Sequence, residues 1–280
     1  MVEEKPRKLD KIDILNDACF KSLFRSVEAR GMFARFLSAV TGIDKELLMK
    51  AEYTGGELLK SNLTERGKIA DIIVKVASSK QIIVEMNKYD PGYIFEKNAS
   101  YAFSLFNEST KIGKRMWPQI ILINIDNFNR FKTDRPILDF KIREKYENYE
   151  VDIFHAYNIV LENFRNPNYN INKEITKYLD FITAKEFSDI ENVSKGDEDY
   201  MAAFRKVEDL STDPNFIGYY DYEQAHQDDL EMAEYTGMKK GVEQTRKEMV
   251  INMKEKGLSL EMIADISNLS IEEVEKIINN

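Results

Sequence analysis

Residues 68–88 read KIADIIVKVASSKQIIVEMNK: two runs of isoleucine and valine about a short polar turn, each carrying one acid, Asp71 and Glu85. A carboxylate inside a strand fit for a core costs several kcal/mol if it stays unpaired. If Val76 pairs with Lys80 across Ala77-Ser78-Ser79, then Ile73 faces Ile83, Ile72 faces Val84 and Asp71 faces Glu85. Directly opposed residues share a face of the sheet, with Cβ atoms about 4.5–5.5 Å apart. Lys75 shares that face with Asp71 and Asn87 shares it with Glu85, because strand side chains alternate. A slip of one residue would send Glu85 to the other side. Like carboxylates so placed repel, and one takes up a proton unless positive charge lies between them. Mg²⁺ is a natural partner, since it takes oxygen ligands and uses one or two carboxylates together with substrate phosphate. With a basic side chain nearby, such a constellation suits metal-assisted phosphodiester hydrolysis. The plain alternative is a pair of acids near strand ends, both facing solvent. Spacing alone does not choose between the two.

Positioning such a pair requires a sheet. KIADIIVKV and QIIVEMN are strong strand patterns, AEYTGGELL is a weak one, and WPQIILINIDNF reads as a buried strand leading to a turn. Upstream, Phe20, Leu23, Phe24, Met32, Phe33, Phe36, Leu37 and Val40 recur at the spacing of amphipathic helices, the second ending near Gly42. EKNASYAFSLFNEST predicts a helix with Ala99, Phe103 and Phe106 on one face, and VDIFHAYNIVLENF predicts a further strand. Helix, strands, helix, strand is the order of a mixed α/β sheet with helices packed on it. NPNYN at 166–170 marks a loop. The stretch 171–235 reads as acidic and helical with a break at STDPNFIG, and YTGMKKGVEQTRKEMVINMKEKG as a helix closing at Gly257.

Composition narrows the chemistry. Hydrophobic residues make up 43% of the 280, as in ordinary globular chains. One cysteine, Cys19, excludes an internal disulfide and thiolate metal clusters. Two distant histidines, His155 and His226, argue against a histidine metal site. No run is long enough to span a bilayer and the first residues lack a signal-peptide core, so a cytoplasmic protein without membrane contact is expected. The net charge of −9 is unevenly spread: residues 1–150 carry a net +4 and residues 151–280 a net −13, with 15 acids against 3 bases over 186–234. The front half suits a polyanion and the middle of the back half repels one. Counts alone fit a solvated helical surface as well.

Asp71 followed after thirteen residues by Glu85-Met86-Asn87 resembles the D…ExQ core of the PD-(D/E)XK nuclease family transposases, relatives of the recombination-promoting nucleases. NDACFKSLF at 16–24 is similar to that family's opening DxxFKxLF helix. KNASY at 97–101 stands where the family has a helix beginning RxxxY, and WPQIILINIDNF resembles its long buried strand. EKGLSLEMIADISNLSIEEVEKI is similar to its closing helix pair. The resemblance covers about residues 10–160 and 240–280.

The resemblance implies a restriction-endonuclease-like fold, a central mixed sheet flanked by helices, carrying Mg²⁺ or in its place Mn²⁺. It implies Asp71 and Glu85 as metal ligands, joined by the backbone carbonyl of Met86. It places Asn87 in the catalytic set, where the family has glutamine and the wider superfamily lysine. A neutral amide can orient a water but not deprotonate it, and Lys75 is the lysine on the right face to substitute. Lys97 replaces the family's arginine and would meet a phosphate as a point charge. Tyr101 is a core or base-contacting aromatic. Asp17 and Lys21, one helical turn apart, either face the site together or form an i,i+4 pair worth a few tenths of a kcal/mol.

Three parts are expected: a nuclease-like domain over 1–165, an acidic helical segment over 166–235, and a helical tail over 236–280. The tail ends like a helix–turn–helix, with Ser270 and Glu273 as a capping box. Its last helix presents Glu272, Glu273 and Glu275 against Lys276, poor for approaching phosphates. Its apolar set, from Met262 and Ile263 to Val274 and Ile277, must pack on something, which favours docking or self-association over DNA reading. The whole chain reads as a Mg²⁺-dependent DNA endonuclease associated with mobile elements or recombination. The alternative is a catalytically weak or inactive relative that binds DNA or a protein partner.

Overall fold

The hairpin that carries the two acids forms in the register its apolar residues require. In the computed structural model, which describes residues 7–58, 68–76, 80–110 and 117–278, β2 (Lys68–Val76) and β3 (Lys80–Asn87) are antiparallel. Ile72 lies opposite Val84, Ile73 opposite Ile83 and Val76 opposite Lys80. The turn Ala77-Ser78-Ser79 is outside the described residues. The hairpin is embedded in a six-stranded mixed sheet of order β1-β2-β3-β4-β6-β5, with β1 spanning Glu52–Leu58, β4 Gln119–Asp126, β5 Ile137–Arg143 and β6 Glu150–Val160. β4 runs parallel to both β3 and β6, and the other neighbours are antiparallel. β4 is buried at every residue, as a central strand covered on both faces must be. β5, an edge strand with mostly exposed side chains, has no counterpart in the sequence reading.

Two apolar layers sandwich the sheet. On one face Ile72, Val74, Val84, Ile121 and Ile123 pack against α1 (Asp17–Phe24), α2 (Arg30–Thr41), α5 (Lys173–Thr183) and α7 (Glu198–Leu210). Phe20, Phe24, Phe33, Phe36 and Tyr178 form a continuous ring cluster there, with Phe36 and Tyr178 stacked at 3.8 Å. α2 ends where Gly42 adopts φ 72°, a left-handed cap open to glycine. On the other face Ala70, Ile73, Ile83, Ile120 and Leu122 meet Ala102 and Leu105 of α4 (Ile94–Ser109). The buried face of α4 is therefore Ile94, Asn98, Ala102 and Leu105. The expected face of Ala99, Phe103 and Phe106 is corrected, for Phe103 is 54% exposed. Asn98 takes the inward position that an apolar periodicity skips. Two short helices complete the helical set before α8: α3 (Lys45–Met49) and α6 (Phe187–Ser194).

α5, α6 and α7, set apart in the sequence division as part of an acidic segment, contribute Ile175, Leu179, Ile190, Phe204 and Val207 to the same core as the sheet. The break expected at STDPNFIG is shorter: α8 runs from Pro214 to Glu255, with proline at the first helical position, where its missing N–H costs nothing. Residues up to 223 form one compact unit and residues 224–280 a second. In the second, Val250 of α8, Ile263 of α9 (Leu260–Ser267) and Val274 of α10 (Ile271–Ile278) make a small core. Ser270 and Glu273 close the expected capping box, each accepting from the other's backbone N–H at 2.8 and 3.2 Å. Met262, Ile266 and Ile271 remain exposed.

Candidate functional site

β2 is irregular where the acid sits. Thr54 of β1 is opposite Ile73, but Gly56 is opposite Ala70. Gly55 alone thus faces two residues, Asp71 and Ile72, and a bulge of this kind re-aims a side chain beside a site. Beyond Ile72 and Val84 the β2–β3 pairing gives way to side chains. The Asp71 N–H donates to Glu85 Oε1 at 3.2 Å, and the Met86 N–H donates to Asp71 Oδ2 at 2.9 Å. The two acids meet beyond the last ladder pair rather than as a pair within it, each carboxylate accepting from backbone of the other strand.

Both carboxylates are buried, Asp71 6% and Glu85 3% exposed. α1 brings Lys21 to them. The Asn16 side chain accepts from Ala18 and Cys19 N–H and so starts the helix at Asp17. One turn on, Lys21 Nζ lies 3.2 Å from Asp71 Oδ1 and 2.6 Å from Asp17 Oδ1. Asp17 and Lys21 form the i,i+4 pair, and Lys21 also reaches Asp71. From the other side of the sheet, α4 presents Lys97 and Tyr101, with Lys97 Nζ 5.6 Å from the Tyr101 ring centroid.

Electrostatics follow from this crowding. Burial pushes the Glu85 carboxyl well above its usual range, the Asp71 charge adds to that, and Lys97 and Lys21 only partly oppose it. Asp71 is also raised by burial, against the pull of Lys21. Burial disfavours the Lys21 ammonium, but the charges of Asp71 and Asp17 outweigh it and hold Lys21 protonated above its ordinary range. Burial, then the charges of Glu85 and Asp71, lift Tyr101 to about 12, so it is a neutral phenol.

A model of the PD-(D/E)XK nuclease family transposases matches residues 14–236. The chain belongs to that family. No curated protein and no solved structure matches it. Its six-stranded mixed sheet with flanking helices is consistent with the PD-(D/E)XK nuclease fold.

Of the residues that the family pattern singles out, the fold brings Asp71, Glu85, Met86, Lys97 and Tyr101 together with Asp17 and Lys21. It does not bring Lys75, which lies four residues along β2 and reaches Glu52 at 3.8 Å. Lys88 is ion-paired to Asp13 at 3.3 Å. Asn87 sits two residues past Glu85 along β3, but its amide is engaged at both ends. Its Nδ2 donates to Asp126 Oδ1 at 2.7 Å, and its Oδ1 accepts from Asn98 Nδ2 at 3.1 Å. Asn98 also donates to Asn124, and Asn158 donates to the second oxygen of Asp126. Asn98, Asp126 and Asn158 went unseen in the sequence because their helix and strands read only as apolar periodicity.

Arg25, at the C-cap of α1, was also missed. Its Nε and Nη2 donate to the Asp71 backbone carbonyl at 3.1 and 2.7 Å. The two buried carboxylates are hard oxygen donors of the kind a divalent cation takes. Among the described residues no three His, Cys, Asp or Glu side chains gather.

Proposed function

We propose that the chain is a DNA endonuclease dependent on Mg²⁺ or Mn²⁺, with its centre at Asp71 and Glu85. The observation that carries this reading is the meeting of two buried, pKa-raised carboxylates at a strand bulge, between a lysine from each face of the sheet. Two hard-oxygen acids with more negative charge than their neighbours offset fit a divalent cation, held by Asp71, Glu85 and the Met86 carbonyl. Such an ion supplies positive charge at the attacked phosphate and activates the attacking water.

The protein's own groups divide the remaining tasks. Lys21, protonated and held by Asp17 and Asp71, stabilises charge developing on the phosphate. That is the superfamily lysine's task, reached from α1 instead of β3. Lys97 binds a flanking phosphate as a point charge, and Tyr101 lends a neutral hydroxyl and ring to the same wall. Asn87 acts one layer back, holding the end of β3 through Asp126 and Asn98. Association with mobile elements or recombination belongs to this same reading and follows the family alone. The exposed Met262, Ile266 and Ile271 support self-association through the tail rather than DNA reading.

A second reading, a nuclease-fold protein that binds DNA or a protein without cutting, is favoured by the engaged amide of Asn87. Cleavage of supercoiled plasmid in Mg²⁺, Mn²⁺ and EDTA separates the two. Metal-dependent nicking by wild type, lost in Glu85→Gln, is the expected result. No nicking by a folded wild type in either metal, with DNA still retained in a mobility shift, would select the second reading.

A further inference from the structure

Asp71 occupies an unusual backbone position. In a bulge the extra residue leaves the ladder, and its N–H and C=O need partners from elsewhere. The N–H has Glu85. The carbonyl has Arg25, which donates two hydrogen bonds to that single oxygen, from Nε at 3.1 Å and Nη2 at 2.7 Å. A carbonyl has two lone pairs, and a planar guanidinium fork fills both where an ammonium fills one. The fork lies directly against Gly55, the residue that faces the bulge from β1. A Cβ built on Gly55 would stand 1.8 Å from both Arg25 Cζ and Nη2, and 2.1 Å from Nε. Only a residue without a side chain leaves the fork where it is: a Cβ here would push the guanidinium, the far end of a flexible side chain, off the Asp71 carbonyl.

We infer that Arg25 and Gly55 form a latch that fixes the bulge and thereby aims the Asp71 carboxylate at the cation. Arg25 is a positioning residue: it touches the backbone of a metal-holding residue, not the metal or the DNA. The inference rests on the proposed metal centre. Its logic is that of outer groups that orient a ligand, whose loss weakens metal affinity by about 10- to 100-fold. Two separate positions, one in a helix cap and one in an edge strand, should then give the same defect.

The test is Mn²⁺ binding to the full chain, followed by loss of the free-ion electron paramagnetic resonance signal, with a melting curve for each variant. Wild type is expected to bind, Glu85→Gln to lose binding, and Arg25→Ala and Gly55→Ala each to bind about 10- to 100-fold more weakly. Arg25→Lys should recover only part of the loss, and millimolar guanidinium should restore Arg25→Ala but not Gly55→Ala, whose methyl occupies the guanidinium's place. If Arg25→Ala does not fold, Gly55→Ala and Arg25→Lys carry the same comparison. Folded Arg25→Lys and Gly55→Ala that bind Mn²⁺ like wild type, while Glu85→Gln does not, would overturn the latch and leave the metal centre standing. Wild type and Glu85→Gln binding alike would instead remove the centre on which it rests.

Discussion

Two buried acidic groups lie two residues apart along β3 and β4, and they resolve the same problem in opposite ways. Glu85 is level with Asn124, and Asn87 is level with Asp126. Asp126 is 1% exposed and has a neutral carboxamide on each oxygen, from Asn87 and Asn158. With no cation in hydrogen-bonding contact among the described residues, burial lifts it to about 6, and the amides and the more distant Arg130 pull it back only partly. Asp71 and Glu85 instead lie against charged Lys21 and Lys97, and two acids share the space. Neutral amides make an acid into a structural tie. Paired acids with lysines at their edge keep a demand for positive charge. A buried carboxylate is therefore informative about function through its partners, more than through its burial.

That contrast can be broken, beginning with the largest effect. Asp71→Asn or Glu85→Gln should lower plasmid nicking by about 10³-fold or more, the upper range for removing a preorganised electrostatic group, while leaving the melting temperature unchanged or raised. Lys21→Met should lower nicking by about 10²-fold. Lys75→Met, at the far end of β2 beside Glu52, should cost much less. If the Lys75 variant loses more than the Lys21 variant, the lysine of the site has been misassigned.

Asn87→Ala leaves Asp126 and Asn98 each short of a partner, and should cost about 1–3 kcal/mol of stability in urea unfolding. Asn87→Lys would place an ammonium among Asp126 and two carboxamides. It should shift the urea midpoint without supplying nuclease activity to Lys21→Met, since position 87 is held by Asp126 and Asn98 rather than by the acid pair.

Asp126 gives the smallest effect and the clearest sign. Its folded value of about 6 lies above the ordinary 3.8. The native state therefore keeps a proton that the unfolded chain releases, and stability falls as pH rises from about 4 to about 6, by roughly 3 kcal/mol in all. Asp126→Asn should remove that fall. Asn158 can turn its unpartnered Oδ1 toward the new amide, so the variant should gain on wild type above pH 6 and lose the advantage near pH 4. Urea titrations at the two pH values read the difference. An unchanged slope would mean that Asp126 is ionised and its ties are charge-assisted.

Much of the fold was legible because apolar periodicity is a direct imprint of burial. The register of the hairpin followed from Ile72, Ile73, Ile83 and Val84, and it brought Asp71 and Glu85 near each other, although the ladder itself ends at Ile72 and Val84. Edge strand β5 carries only a short imprint, Leu138, Phe140 and Ile142 alternating with Asp139, Lys141 and Arg143, weaker than the continuous apolar runs of the central strands. The inward face of α4 was misread because the residue that turns inward is Asn98, whose partners Asn87 and Asn124 are distant in sequence. Lys75 and Lys21 show the limit most plainly. Strand alternation placed Lys75 on the face of Asp71 but said nothing of the distance along the strand. Lys21 comes from a helix whose placement depends on the packing of Phe20 and Phe24. The bulge, too, is a property of pairing with β1, and Gly55-Gly56 was its only trace.

The most direct measurement is calorimetric titration of Mg²⁺ into the wild-type chain and into Glu85→Gln. The account predicts a single ion bound by wild type and no binding by the variant at equal fold stability. Equal binding by both proteins, or none by either, would contradict the assignment of Asp71 and Glu85 as a metal centre.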